Sequence, residues 1–120
     1  MEEERVKMNN MKTLYKNEAI QKKNRNRIQY QDSVKTSYFN LIDLFGLPSL
    51  GKSDKVLCEW VLENNLGDVV VIYDWKSSTN DPEYVTEWNF GANGDTYSNV
   101  FINQIKEKIE KKIDEKNLVC

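Results

Sequence analysis

The 120-residue chain contains no histidine. That removes the commonest general base at neutral pH, the Ser-His and Cys-His nucleophile pairs, and the usual imidazole ligands of zinc. Cysteine occurs twice, at Cys58 and Cys120. Two distant thiols make neither a disulfide framework nor a four-ligand zinc site, and a reducing compartment is the default. No apolar run approaches the roughly 20 residues that a membrane helix needs. The acidic opening Met1-Glu2-Glu3-Glu4 lacks the basic and apolar regions of a secretory signal. These gaps predict a cytoplasmic chain with no membrane partner, no metal and no cofactor, and they weigh against an enzyme.

The charge that is present is unevenly spread. Residues 1–36 carry nine Lys/Arg against five Asp/Glu, and residues 37–100 carry three against ten. An acidic middle repels a nucleic-acid backbone, so any contact with DNA or RNA falls to the N-terminal segment. Its basic tract holds Lys22, Lys23, Arg25 and Arg27. Such a run is either a solvated linker or a nucleic-acid-contacting arm.

Hydrophobic spacing divides the chain. Residues 1–31 read as a polar, partly basic segment, helical or flexible, with Met11, Leu14, Tyr15 and Ala19 at helical intervals. Residues 32–120 read as a single α+β domain. Ser33 to Phe45 predicts a short helix, capped by Thr36 or Ser37 and stopped by Gly46 and Pro48. Three strands follow, over about Lys55–Glu63, Val69–Lys76 and Tyr84–Phe90, joined by turn-rich segments. A long amphipathic helix closes the chain, with Phe101, Ile105, Ile109 and Ile113 on one stripe. The predicted fold is thus a helix, a three-stranded antiparallel meander and a C-terminal helix packed on one sheet face. The last turns of that helix look long for three strands, which makes a homodimer through them the better expectation.

Each predicted strand carries an acid beside a tryptophan: Glu59-Trp60, Asp74-Trp75 and Glu87-Trp88. Successive strand residues face opposite ways. If all three indoles enter the core, Glu59, Asp74 and Glu87 look outward together. With Glu63 and Asp81 they would form an acidic, partner-binding sheet face. Tyr84 and Trp88, near the end of an edge strand, are candidates for stacking a ligand. The segment from Gly46 to Ser53 formally matches the phosphate-loop pattern GxxxxGKS. A helix precedes it and a strand follows, the reverse of the context that pattern needs, so it reads as coincidental.

Leu44-Phe45-Gly46-x-Pro48, Lys55-Val56-x-x-Glu59-Trp60, Val71-Ile72-Tyr73-Asp74-Trp75-Lys76 and Trp88-x-x-Gly91 together carry a likeness. Over roughly residues 41–91 the chain resembles a family of small uncharacterised proteins of bacteriophages and large DNA viruses. The resemblance implies a virus-encoded accessory protein in the host cytoplasm. Joined to the acidic middle, it suggests a non-enzymatic inhibitor of a host defence macromolecule, of anti-CRISPR or similar type. Its partner would be a host protein or nucleoprotein complex met through a surface that mimics nucleic acid. The alternatives are a protein that sequesters a small nucleotide signal, and a nucleic-acid binder using the basic segment.

Overall fold

A computed structural model describes residues 10–119. In chain order they form β1 (Met11–Leu14), α1 (Lys16–Arg25), β2 (Gln29–Lys35), α2 (Tyr38–Phe45), β3 (Glu59–Asn64), β4 (Val69–Tyr73), a 3-10 turn (Pro82–Tyr84), β5 (Glu87–Ala92) and α3 (Thr96–Val119). The architecture is α+β. One sheet runs β1-β3-β4-β5-β2, with every neighbouring pair antiparallel. No helix of the described residues is long and apolar enough to cross a membrane.

The central meander β3-β4-β5 is the one the alternating Val, Ile and Trp pattern predicts. Two more strands flank it. Met11 to Leu14 pairs with β3, and Gln29 to Lys35 pairs with β5. Helical spacing of Met11 and Leu14 therefore misleads, as does the helix expected from Ser33. Two open edges of a buried meander offer unpaired backbone groups, and satisfying them outweighs weak local helix preference. The predicted division after residue 31 falls within β2. The part of the N-terminal segment before Asn10 lies outside the described residues.

α2 begins where its cap dictates. Ser37 Oγ accepts the Asn40 N–H at 3.1 Å, and Gly46, at φ +81°, ends the helix in a conformation that favours glycine. The third predicted strand starts three residues late. Asp81-Pro82 opens a 3-10 turn instead, with Asp81 Oδ1 accepting the Glu83 N–H at 2.9 Å. That turn sends Val85 into the main core rather than to the opposite face.

The sheet carries buried side chains on both faces. On the first, Trp60, Leu62, Val70, Ile72, Trp88 and Phe90 pack against Leu41 and Phe45 of α2 and Phe101, Ile105 and Ile109 of α3. Each such side chain contributes about 1.5–3 kcal/mol by leaving water. On the second, Val61, Val69 and Val71 meet Leu14 and Ala19, with Ile28, Leu50 and Tyr73 at the margin. α1 covers part of this face and leaves the rest open.

The indoles do not share a side. Trp60 and Trp88 enter the first core, their rings 5.3 Å apart at 78°. Trp75 lies beyond the end of β4, 52% exposed, against Tyr73 at 6.4 Å and 85°. The register pairs Trp60 with Ile72 and Ile72 with Phe90, so Val70 and Ile72 take the first face. Val69, Val71 and Tyr73 take the second, and Trp75 follows them. β4 is apolar on both sides, so alternation alone gives no sign of which set faces the indole of Trp60.

Candidate functional site

The five carboxylates do not form an exposed acidic face. Glu59, only 4% exposed, accepts a hydrogen bond from Lys23 Nζ, and Glu63 pairs with Lys22 at 2.9 Å. Both lie beneath α1 on the second sheet face. Asp74 is 1% exposed and accepts from the Leu57 N–H at 2.8 Å, the Cys58 N–H at 3.4 Å and the Ser77 hydroxyl at 2.7 Å. It is a structural cap for the chain entering β3. Asp81 caps the 3-10 turn. Of the five, only Glu87 is exposed. Burial demands that a carboxylate find cations or N–H donors, and three of these have found them within the fold.

The basic tract is divided by the same contacts. Lys22 and Lys23 close onto Glu63 and Glu59, while Arg25 and Arg27 stay exposed. Tyr84 is exposed on the 3-10 turn and Trp88 is fully buried, so they do not form a stacking pair. In the Gly46–Ser53 loop, the N–H groups of Leu50 and Ser53 donate to the carbonyls of Glu59 and Val56, and Pro48 has none to give. The loop is stitched to β3 and is not a phosphate cradle. Among the described residues no three His, Cys, Asp or Glu gather as a metal site.

The fold instead builds a cavity of about 670 Å³ on the second face, beside α1. Its apolar base is Ile28, Val56 and Val71; Tyr30, Tyr73 and Trp75 are its rings; Asn89 and the Lys23–Glu59 pair are its polar groups. That volume and mixture are those of a small-molecule site. Strand register explains the assembly. Tyr73 stands opposite Asn89, while Tyr30 and Val71 both stand opposite Gly91. A Cβ on Gly91 would lie 2.6 Å from Ile28 Cγ2 and 3.2 Å from Tyr73 Cε1. Only glycine lets those two side chains approach as they do.

Two cations flank the Trp75 wall of the cavity. Lys55 Nζ and Lys76 Nζ lie 5.4 and 5.9 Å from the centroid of the Trp75 ring. Lys76 has φ +48°, a left-handed conformation unusual outside glycine, and its N–H donates to the Lys55 carbonyl at 2.8 Å. That bond ties the two lysine-bearing loops together. Burial, helped by nearby Tyr30 and Glu59, raises the Tyr73 phenol above its ordinary value and keeps its proton in place.

Tyr30, Tyr73, Trp75, Asn89, Lys55 and Lys76 were not legible as a site. One signal existed: Tyr73 and Trp75 share a phase along the second predicted strand. Tyr30 gave none, because its strand was hidden in a polar segment.

A second feature lies at a corner of the first face. Phe39 and Tyr84 are exposed there, beside exposed Glu83 and half-buried Asp81. Tyr38 touches Phe39 at 5.7 Å, and burial, with the acids Glu83 and Asp81 nearby, raises its phenol. Comparison of the chain with protein-family models, with curated proteins and with solved structures found no match.

Proposed function

We propose that this protein binds and sequesters a small, flat ligand in the cavity beside α1. One observation carries the reading: Tyr30 and Trp75, large rings at 60% and 52% exposure, flank a cavity with an apolar base and a few inward polar groups. Exposed aromatic area of this size is covered when a planar molecule enters between the rings. The polar groups suit holding rather than turnover. Lys23 is engaged by Glu59, and Tyr73 keeps its proton. Joined to the viral resemblance, the role is that of a virus-encoded accessory protein removing a small molecule inside a host cell.

A thermal-shift panel of flat heterocycles and aromatic acids tests this. A ligand that binds the folded state alone raises the melting temperature, and Tyr30→Ala with Trp75→Ala should abolish the rise. A panel without any shift, or a shift that survives both substitutions, overturns the reading.

The second proposal is an inhibitor of a host defence macromolecule. Internal pairing of Glu59, Glu63 and Asp74 takes those three out of any nucleic-acid-like surface. What supports this reading now is the corner of Phe39, Tyr84, Asp81, Glu83 and, on the adjoining strand, Glu87. Negative charge around exposed rings suits a basic partner surface. Binding to a nuclease should then weaken with salt and fail in Tyr84→Ala/Glu83→Lys.

A further inference from the structure

We infer that the occupant of the cavity is a nucleoside phosphate, with its base between Tyr30 and Trp75 and its phosphate between Lys55 and Lys76. This rests on the reading of the cavity as a ligand site. Residues 37–100 contain three lysines against ten acids, and two of the three stand over the one ring, Trp75, that walls the cavity. Neither has a carboxylate partner among the described residues. Two ammonium groups drawn to the same indole repel each other, and an anion placed between them relieves that repulsion. The left-handed Lys76 holds this arrangement at the cost of backbone strain, a pattern concentrated at binding sites.

The polar lining of the cavity, Asn89 and Glu59 on either side of Tyr73, calls for a base rather than a plain aromatic ring. The Asn89 side-chain amide offers one donor and one acceptor and has no partner among the described residues. That pair matches the N6/N7 edge of adenine. Glu59 bonds Lys23 through Oε1, which leaves Oε2 to accept from an amino group. An uncharged hydrocarbon ring would strand these groups, whereas a purine satisfies them. Sequence-tolerant stacking on aromatic faces is the usual means by which proteins hold single bases.

Isothermal titration of the full chain with AMP, GMP, adenosine and inorganic phosphate tests the assignment. AMP should bind, with adenosine weaker by about tenfold because two charge-assisted contacts are lost. Lys55→Gln/Lys76→Gln should bring AMP down to the level of adenosine measured on the same variant. Trp75→Ala should remove both. These residues are exposed, so circular dichroism should show the variants folded. Equal binding of AMP and adenosine, or AMP binding that ignores the lysine variant, overturns the phosphate assignment. Failure of every nucleotide while a flat compound still shifts the melting temperature through Tyr30 overturns the nucleotide and leaves the ligand site standing. Failure of both kinds of probe overturns both.

Discussion

Asp74 Oδ1 accepts the backbone N–H of Leu57 at 2.8 Å, across 17 residues of sequence. The contact fixes the chain as it enters β3, and Cys58 and Ser77 complete the carboxylate's shell. Asp74→Ala leaves buried donors without an acceptor. It should cost about 3 kcal/mol, by the loss of charge-assisted bonds together with the unsatisfied groups. Asp74→Asn keeps one acceptor and should cost less. Urea midpoints for the two variants check this, and equal losses would refute the capping role.

Lys23 and Glu59 join α1 to β3 at the wall of the cavity. Glu59 is nearly buried while Lys23 is about a third exposed, so the pair lies between the buried and the surface regimes. Lys23→Met should cost about 2 kcal/mol, chiefly by leaving the carboxylate uncompensated. Adding Glu59→Met should recover most of that loss. A double-mutant cycle with no coupling would show the contact to be energetically idle.

Gly91→Ala should act on both fold and site. The added methyl meets Ile28 and Tyr73 well inside normal contact. Overpacking of this kind costs about 1–3 kcal/mol. Because both neighbours line the cavity, ligand uptake should fall more steeply than stability. Chemical denaturation and calorimetry on the same sample separate the two effects.

Asp32 and Lys106 tie β2 to α3 at 2.8 Å. The hydrogen bond from Lys106, then the Ser33 N–H, holds the Asp32 carboxyl below its ordinary 3.8. A folded pKa below the unfolded one means stabilisation present above pH 3.8 and lost as pH falls through the lower, folded value. Lys106→Met should therefore flatten the acid limb of a stability-against-pH curve below that point. An unchanged limb would show that the pair does not couple to folding.

The Cys58 thiol is pushed up to about 12 from 9.0, by burial first and then by Asp74 and Glu59. Little of it is therefore thiolate near neutral pH. In a Cys120→Ser background, Cys58 should react with a disulfide reagent far more slowly in the folded protein than in denaturant. The linkage has the opposite sign to that of Asp32. A raised acid pKa gives stability that is full below 9.0 and declines as pH rises toward 12.

Much of the central fold was legible. The Val- and Ile-rich β4, the Ser37 cap, the Gly46 stop and the Ile stripe of α3 each carry a local physical signal, and each stands where that signal puts it. β1 and β2 did not. Met11 to Leu14 and Gln29 to Lys35 become strands because β3 and β5 have open edges, and an open edge belongs to another part of the chain. The candidate site was the least legible. Tyr30, Tyr73, Trp75 and Asn89 are separated by up to 59 residues and meet only through strand register.

The amino-acid sequence by itself determined the two-sided apolar meander, the helix that covers it and the want of any histidine, because periodicity and composition are properties of neighbouring residues. The tertiary structure alone decided which side Trp75 takes, which cations Glu59 and Glu63 meet, and where a cavity opens. The reason is register: a strand that is apolar on both faces fits either way until its partners choose, and a one-residue slip exchanges every side chain between core and solvent.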